Sequence, residues 1–192
     1  MSMPAVNLTD EERGLLLKIA RQALQAAVCQ EILEPLNYSD FPVKFSKNAA
    51  TFVTLTRRGA LRGCIGSLEA HQPLADDVRE HAIAAGLQDF RFPPVQPDEL
   101  DQIEIEISRL TYPIPLEYRD SLDLLAKLNP GIDGVVLQDS WRRATFLPQV
   151  WEKIPDPAEF LTNLCYKMGV ASDLWRRKKL EVLIYQVEEF HE

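Results

Sequence analysis

Cysteine is scarce in this chain, with three thiols among 192 residues, Cys29, Cys64 and Cys165. They are odd in number and far apart, which excludes a disulfide framework and a Cys-x-x-Cys zinc pair. Histidine is equally sparse: only His71 and His81 lie away from the C-terminus, and their spacing with Cys64 matches no zinc pattern. Neither a metal nor a cofactor is expected. No apolar run approaches the roughly 20 residues that a membrane-spanning helix needs. The stretch Met1 to Asp10 has neither the basic region nor the apolar core of a secretory leader. The expectation is a cytoplasmic protein with reduced thiols and no membrane partner. Basic residues are in deficit, 21 against 29 acidic ones, for a net charge of −8. A negative protein repels phosphate at long range, so nucleic acid is not an expected partner. The one basic run, Trp175-Arg-Arg-Lys-Lys179, suits a solvated helix end. No phosphate loop and no Ser–His–Asp order stands out.

What remains is an ordinary globular composition, 46% hydrophobic and 26% charged. The length fits one domain over residues 1–192. Thr9 and Glu12 are spaced as a capping box and open a helix to about Glu31, with Leu15, Leu16, Ile19, Ala23 and Ala27 on its apolar face and Cys29 near it, in the core. Thr51 to Thr56 and Leu61 to Leu68 predict a hairpin around Arg57-Arg-Gly-Ala60. A helix follows from Pro73 to Leu87, carrying His81 on its apolar side as a core histidine. Gln102 to Leu110 alternates Ile103, Ile105 and Ile107 with Glu104, Glu106 and Ser108, the pattern of a half-buried strand. Further on come a short helix over Ser121 to Leu128, a hairpin within Gly131 to Phe146, a helix opened by Asp156-Pro157 and stopped at Gly169, and a strand over Glu181 to Val187. Hairpins mixed with helices predict an α+β fold with a largely antiparallel sheet.

The segment Leu61-Arg-Gly-Cys-Ile-Gly66 is the most unusual. On a regular strand, Leu61 and Ile65 face the core while Arg62 and Cys64 share the other face, about 7 Å apart. A guanidinium at that range favours thiolate over thiol. Gly63 and Gly66 are poor strand residues unless something must approach closely. The competing reading makes Cys64 a small core hydrophobe and the glycines a bulge or tight crossing. Asp89-Phe-Arg-Phe-Pro-Pro94 is either a pocket wall or a structural loop in which Asp89 caps a turn. Glu104 and Glu106 are either a working carboxylate pair or a solvated sheet face. If that face also bears Arg62, Glu106 can pair with it.

These segments resemble the AMMECR family, whose bacterial and archaeal members are called AmmeMemoRadiSam system protein A. The resemblance rests on Leu61 to Gly66, on Asp89 to Val95 (with Phe90 where the family usually has proline), on Ile103-Glu-Ile-Glu-Ile-Ser108, on Ala144-Thr-Phe-Leu-Pro-Gln-Val-Trp-Glu152 and on Phe160 to Gly169. It implies one α+β domain with a larger and a smaller lobe. It implies association with a Memo-type protein and a radical SAM protein, although this chain lacks the clustered cysteines of an iron–sulfur site. It also implies a cleft. Cys64 is then the nucleophile or acid–base thiol, Arg62 its activator or an anion binder, and Glu106 the group that orients Arg62 or accepts a proton. Gly63, Gly66, Arg91, Phe92, Thr145, Phe146, Gln149 and Trp151 surround a small or anionic substrate, with Arg91 as its clamp. The alternative is a non-catalytic binding module that uses the same surface, with Phe146 and Trp151 as aromatic anchors.

Overall fold

The computed structural model describes residues 7–192. The first six residues, part of the stretch read above for a leader, lie outside the described residues. The chain forms two units, one from the residues up to Leu110 together with Glu188–Glu192, the other Thr111–Val187.

The first unit opens with α1 (Asp10–Cys29), started by the expected capping box: the Glu12 amide donates to the Thr9 hydroxyl and the Thr9 amide to the Glu12 carboxylate. The helix ends where Gln30 turns left-handed, and Cys29 is exposed there rather than in the core. β1 (Asn48–Arg57) and β2 (Ala60–Gly66) form the predicted hairpin. Arg58 and Gly59 both take positive φ, 54° and 76°, as a two-residue hairpin turn with the right twist requires. A short β3 (Gln72–Pro73) leads into α2 (Leu74–Leu87), and β4 (Ile103–Leu110) pairs antiparallel with β1. The sheet order is β2-β1-β4-β9, with β3 beside β1 and β9 (Val187–His191) closing the far edge. One core holds this unit: Leu16, Leu24, Val53, Leu55, Val78, Ile105 and Ile107 are fully buried. Burying that many aliphatic side chains, at about 1.5–3 kcal/mol each, is the main stabilising term.

The second unit contains β5 (Ile114–Pro115), α3 (Ser121–Lys127), β6 (Gly134–Asp139), β7 (Arg142–Phe146), α4 (Pro157–Lys167), α5 (Leu174–Arg177) and β8 (Glu181–Tyr185). Its sheet order is β5-β8-β6-β7, all antiparallel. Asp156 caps α4 by accepting from the Glu159 amide, Pro157 takes the first turn, and Gly169 turns left-handed at the end, as expected. A separate core gathers Leu124, Val135, Leu137, Phe160, Leu161, Leu164 and Val182. The fold is α+β with antiparallel sheets. The expected strand over Glu181 to Val187 is in fact two, β8 and β9, which enter different sheets. Between Thr111 and Val187 acidic and basic side chains are equal, ten of each, so the whole net charge of −8 rests on the first unit. Among the described residues, no helix is long and apolar enough to cross a membrane.

Candidate functional site

Side chains directly opposite in a sheet share a face. On the inner face Leu55 stands between Gly63 and Ile105, and Val53 between Ile65 and Ile107. The outer face is therefore built in three rows. Leu61, Thr56 and Glu104 make the first; Cys64, Thr54 and Glu106 the second; Gly66, Phe52 and Ser108 the third. In the middle row the Thr54 hydroxyl donates to Cys64 Sγ at 3.4 Å. Cys64, Thr54 and Glu106 are all half-buried. Two strand spacings put the backbones of Cys64 and Glu106 about 10 Å apart, with Thr54 between them. The Phe52 ring lies over Gly66, within 2.4 Å of where a Cβ would stand, and walls one side of this row.

The register between β1 and β2 slips between Leu55 and Thr56, so that Gly63 faces Leu55 and Leu61 faces Thr56. Arg62 is the extra residue of a β-bulge. This corrects the expected alternation: Leu61 is 46% exposed rather than in the core. It also redirects Arg62, which does not pair with Glu106. Its guanidinium meets Glu99 through two bonds, Nε to Oε1 at 3.0 Å and Nη2 to Oε2 at 2.9 Å, and donates to the Pro93 carbonyl at 2.9 Å. Glu99 also accepts from Arg57 and from the Gln96 amide. These bonds, led by those from Arg62, hold the Glu99 carboxyl down to about 2 against the opposing effect of burial.

β2 is an edge strand, and the outward backbone groups of Cys64 need partners. Asp89 and Arg91 supply them. The Cys64 amide donates to Asp89 Oδ2 at 2.9 Å, and Arg91 Nη2 donates to the Cys64 carbonyl at 3.2 Å. Asp89, almost fully buried, also takes Arg91 Nε, Nη2 and backbone amide. Those bonds from Arg91, chiefly, drive its carboxyl well below the usual carboxylate range. Arg62 and Arg91 therefore stitch the 89–96 loop to β2, Arg91 on Asp89 and Arg62 on a carboxylate that it shares with Arg57, where a thiol activator and a substrate clamp were expected. Phe92 is half-buried beside Arg91, whose guanidinium carbon is 5.6 Å from the ring centroid. Phe90, at the departure from the family pattern, is 95% exposed. Gly63 and Gly66 serve close packing: a Cβ on Gly63 would stand 2.1 Å from the Ala85 carbonyl oxygen on α2.

The other four expected site residues belong to the second unit. Trp151 is buried, stacked on Phe160 with ring centroids 3.6 Å apart, and donates its indole N–H to the Asp133 carbonyl at 2.7 Å. It is a core residue and not a surface anchor. Phe146 packs edge-on against Phe160 under the Lys167 ammonium. Thr145 Oγ1 is 3.0 Å from the Tyr185 hydroxyl, whose pKa burial pushes up to about 12. Gln149 is exposed.

His81 is a core histidine as expected, with Nδ1 3.3 Å from both Asp77 Oδ2 and Thr51 Oγ1. The basic run is a surface segment in which Arg177 pairs with Asp173 and Lys178 with Asp139. No group of three or more metal-ligating side chains occurs among the described residues. The residues missed from sequence are Thr54, Phe52 and Glu99. Thr54 carries a signal, since it alternates with Val53 and Leu55 and so must face outward.

The AMMECR1 family model matches residues 17–190. A protein of Methanothermobacter thermautotrophicus is 39% identical, the match covering 96% of each chain. One of Thermofilum pendens is 37% identical over 96% of this chain and 92% of its own. The crystal structure of an uncharacterised protein from Pyrococcus horikoshii superposes with a TM-score of 0.78 at 32% identity, covering 96% of this chain and 93% of that one. With nearly its whole length matched in sequence and in fold, this chain belongs to the AMMECR1 family.

Proposed function

We propose that this chain is an enzyme or enzyme subunit whose chemistry is carried by Cys64 on the outer sheet face. The observation that carries this reading is the hydroxyl donor aimed at the sulfur from Thr54, with Glu106 next in the same row. A hydroxyl donor supports negative charge on sulfur, the form that acts as a nucleophile. A small molecule lying over Thr54 reaches the thiol at one end and a carboxylate at the other, the arrangement of a nucleophile with a general acid–base group. The Phe52 ring gives that molecule an apolar wall. With Arg62 and Arg91 both engaged by carboxylates and Glu104 and Glu106 on the face, the substrate in this reading is neutral or cationic, which revises the expected anion. In this reading the chain works jointly with Memo-type and radical SAM proteins on a substrate or a modification, as the family resemblance implies.

The test uses a strain deleted for this gene, complemented with Cys64→Ser, Glu106→Gln or the unaltered chain, and profiled for metabolites. Both variants are expected to leave the profile of the deletion while melting like the parent. Full restoration by a folded Cys64→Ser protein would end the catalytic reading. A second measurement works on the purified protein. In a Cys29→Ser background, iodoacetamide is expected to label Cys64 and spare Cys165, which is buried and whose thiol burial pushes up. Thr54→Val is expected to slow labelling several-fold, and an unchanged rate would remove the role given to the hydroxyl.

A further inference from the structure

A hollow of about 560 Å³ lies along the C-terminal half of α1, on the first unit. Its floor is apolar, from Ile19, Ala23 and Ala26 on the helix and Leu36 and Phe41 on the segment that follows. Its rim is acidic, from Glu31, Glu34 and Asp40. Arg79, also in the wall, donates to the Leu33 carbonyl at 3.1 Å and so holds the 31–36 segment against α2. The hollow is an open groove rather than a closed pocket. Ile32, between two wall residues, is 89% exposed, and Val43, two residues beyond Phe41, is 76% exposed. Large apolar side chains standing in water beside an apolar groove mark a contact surface.

We propose that this groove receives a basic amphipathic helix of a partner protein. Charge selects the occupant: the floor takes apolar side chains, while the carboxylate rim, on the unit that holds the whole net charge of −8, takes lysine or arginine. The walls are helix and coil, with no open strand edge to template an extended peptide, so the occupant is helical. This site does not depend on Cys64.

The probe is a fluorescein-labelled peptide of leucine and lysine, patterned as an amphipathic helix of about four turns. The full chain is expected to bind it, read by anisotropy. The Glu31→Lys/Glu34→Lys double variant is expected to bind about tenfold more weakly. Glu69→Lys/Glu80→Lys carries the same net change elsewhere on the unit and is expected to bind nearly as the parent. Equal weakening by the two double variants would overturn the proposal, because the attraction would then be to net charge alone. So would absence of binding, equal binding of a leucine–glutamate peptide, or tighter binding of spermidine than of the helix. Ile32→Ser keeps the test sharp if the double variant misfolds: it leaves the charge intact and is expected to weaken binding several-fold.

Discussion

Replacing Glu99 with alanine is expected to lower stability by about 3 kcal/mol, which for a chain of this size moves the melting temperature by roughly 6–12 °C. One carboxylate here accepts four hydrogen bonds, from Arg57, from Arg62 twice and from the Gln96 amide. The Arg62 side chain is only 12% exposed, so without Glu99 its charge is left nearly buried, with the Pro93 carbonyl as the remaining partner. Leaving a charge in that state costs more than the ion pair itself contributes. The same carboxylate supplies a pH signature. Its pKa is about 2 in the folded protein, chiefly through Arg62, and about 4.3 once the chain unfolds. The stability tied to its ionisation is complete above the unfolded value and is lost as pH falls towards 2. Melting curves of the parent and of Glu99→Gln should therefore differ most near neutral pH and converge in acid. Equal melting temperatures at pH 7, or a gap that persists unchanged at pH 2, would show that Glu99 is not the clamp described here.

How far the sequence reveals these arrangements follows from the range of the interactions. Local signals suffice for the ends of helices: the Thr9–Glu12 box and the Asp156-Pro157 start are satisfied within three residues, and both form as expected. Simple alternation suffices for β4, because Ile103, Ile105 and Ile107 face a core over an unbroken strand. It fails on β2, where one extra residue changes the parity. Strict alternation sets Arg62 beside Cys64 and Leu61 in the core, and the bulge cancels both. The partner of Arg62 is equally hidden. Glu104 and Glu106 sit on a recognisable strand and invite the pairing, whereas Glu99 lies in a short 3-10 turn, Pro97–Gln102, that only the fold brings to Arg62. Trp151 shows the opposite limit. An indole in a distinctive run can serve as core or as contact surface, and the aromatic stack with Phe160 decides for core. The α+β class and the hairpins follow from pattern; the pairing of Cys64 with Thr54, which the bulge creates, and the carboxylates that engage the two arginines do not.

Gly63→Ala is expected to cost at least about 3 kcal/mol, because overpacking a filled core displaces backbone rather than a side chain. The added methyl would stand 2.1 Å from the Ala85 oxygen and 3.0 Å from its carbonyl carbon. No rotamer change relieves a clash with backbone, so α2 must move off the sheet, loosening the layer of Val78, Ala82 and Ala85 against Leu55. Truncating Ala85 to glycine leaves the obstructing oxygen in place, so the Gly63→Ala/Ala85→Gly double variant should regain nothing. Gly86→Ala provides the contrast. Its methyl would meet the tip of Leu24, a side chain that can turn away, and alanine favours the helix over glycine by about 1 kcal/mol. That variant should melt within a few degrees of the parent. Urea titration of the three proteins measures the order directly: parent and Gly86→Ala close together, Gly63→Ala far below or unfolded. A Gly63→Ala protein as stable as the parent would mean that helix and strand do not touch at this point. The glycine of the signature segment would then be free for the ligand role that the sequence first assigned to it.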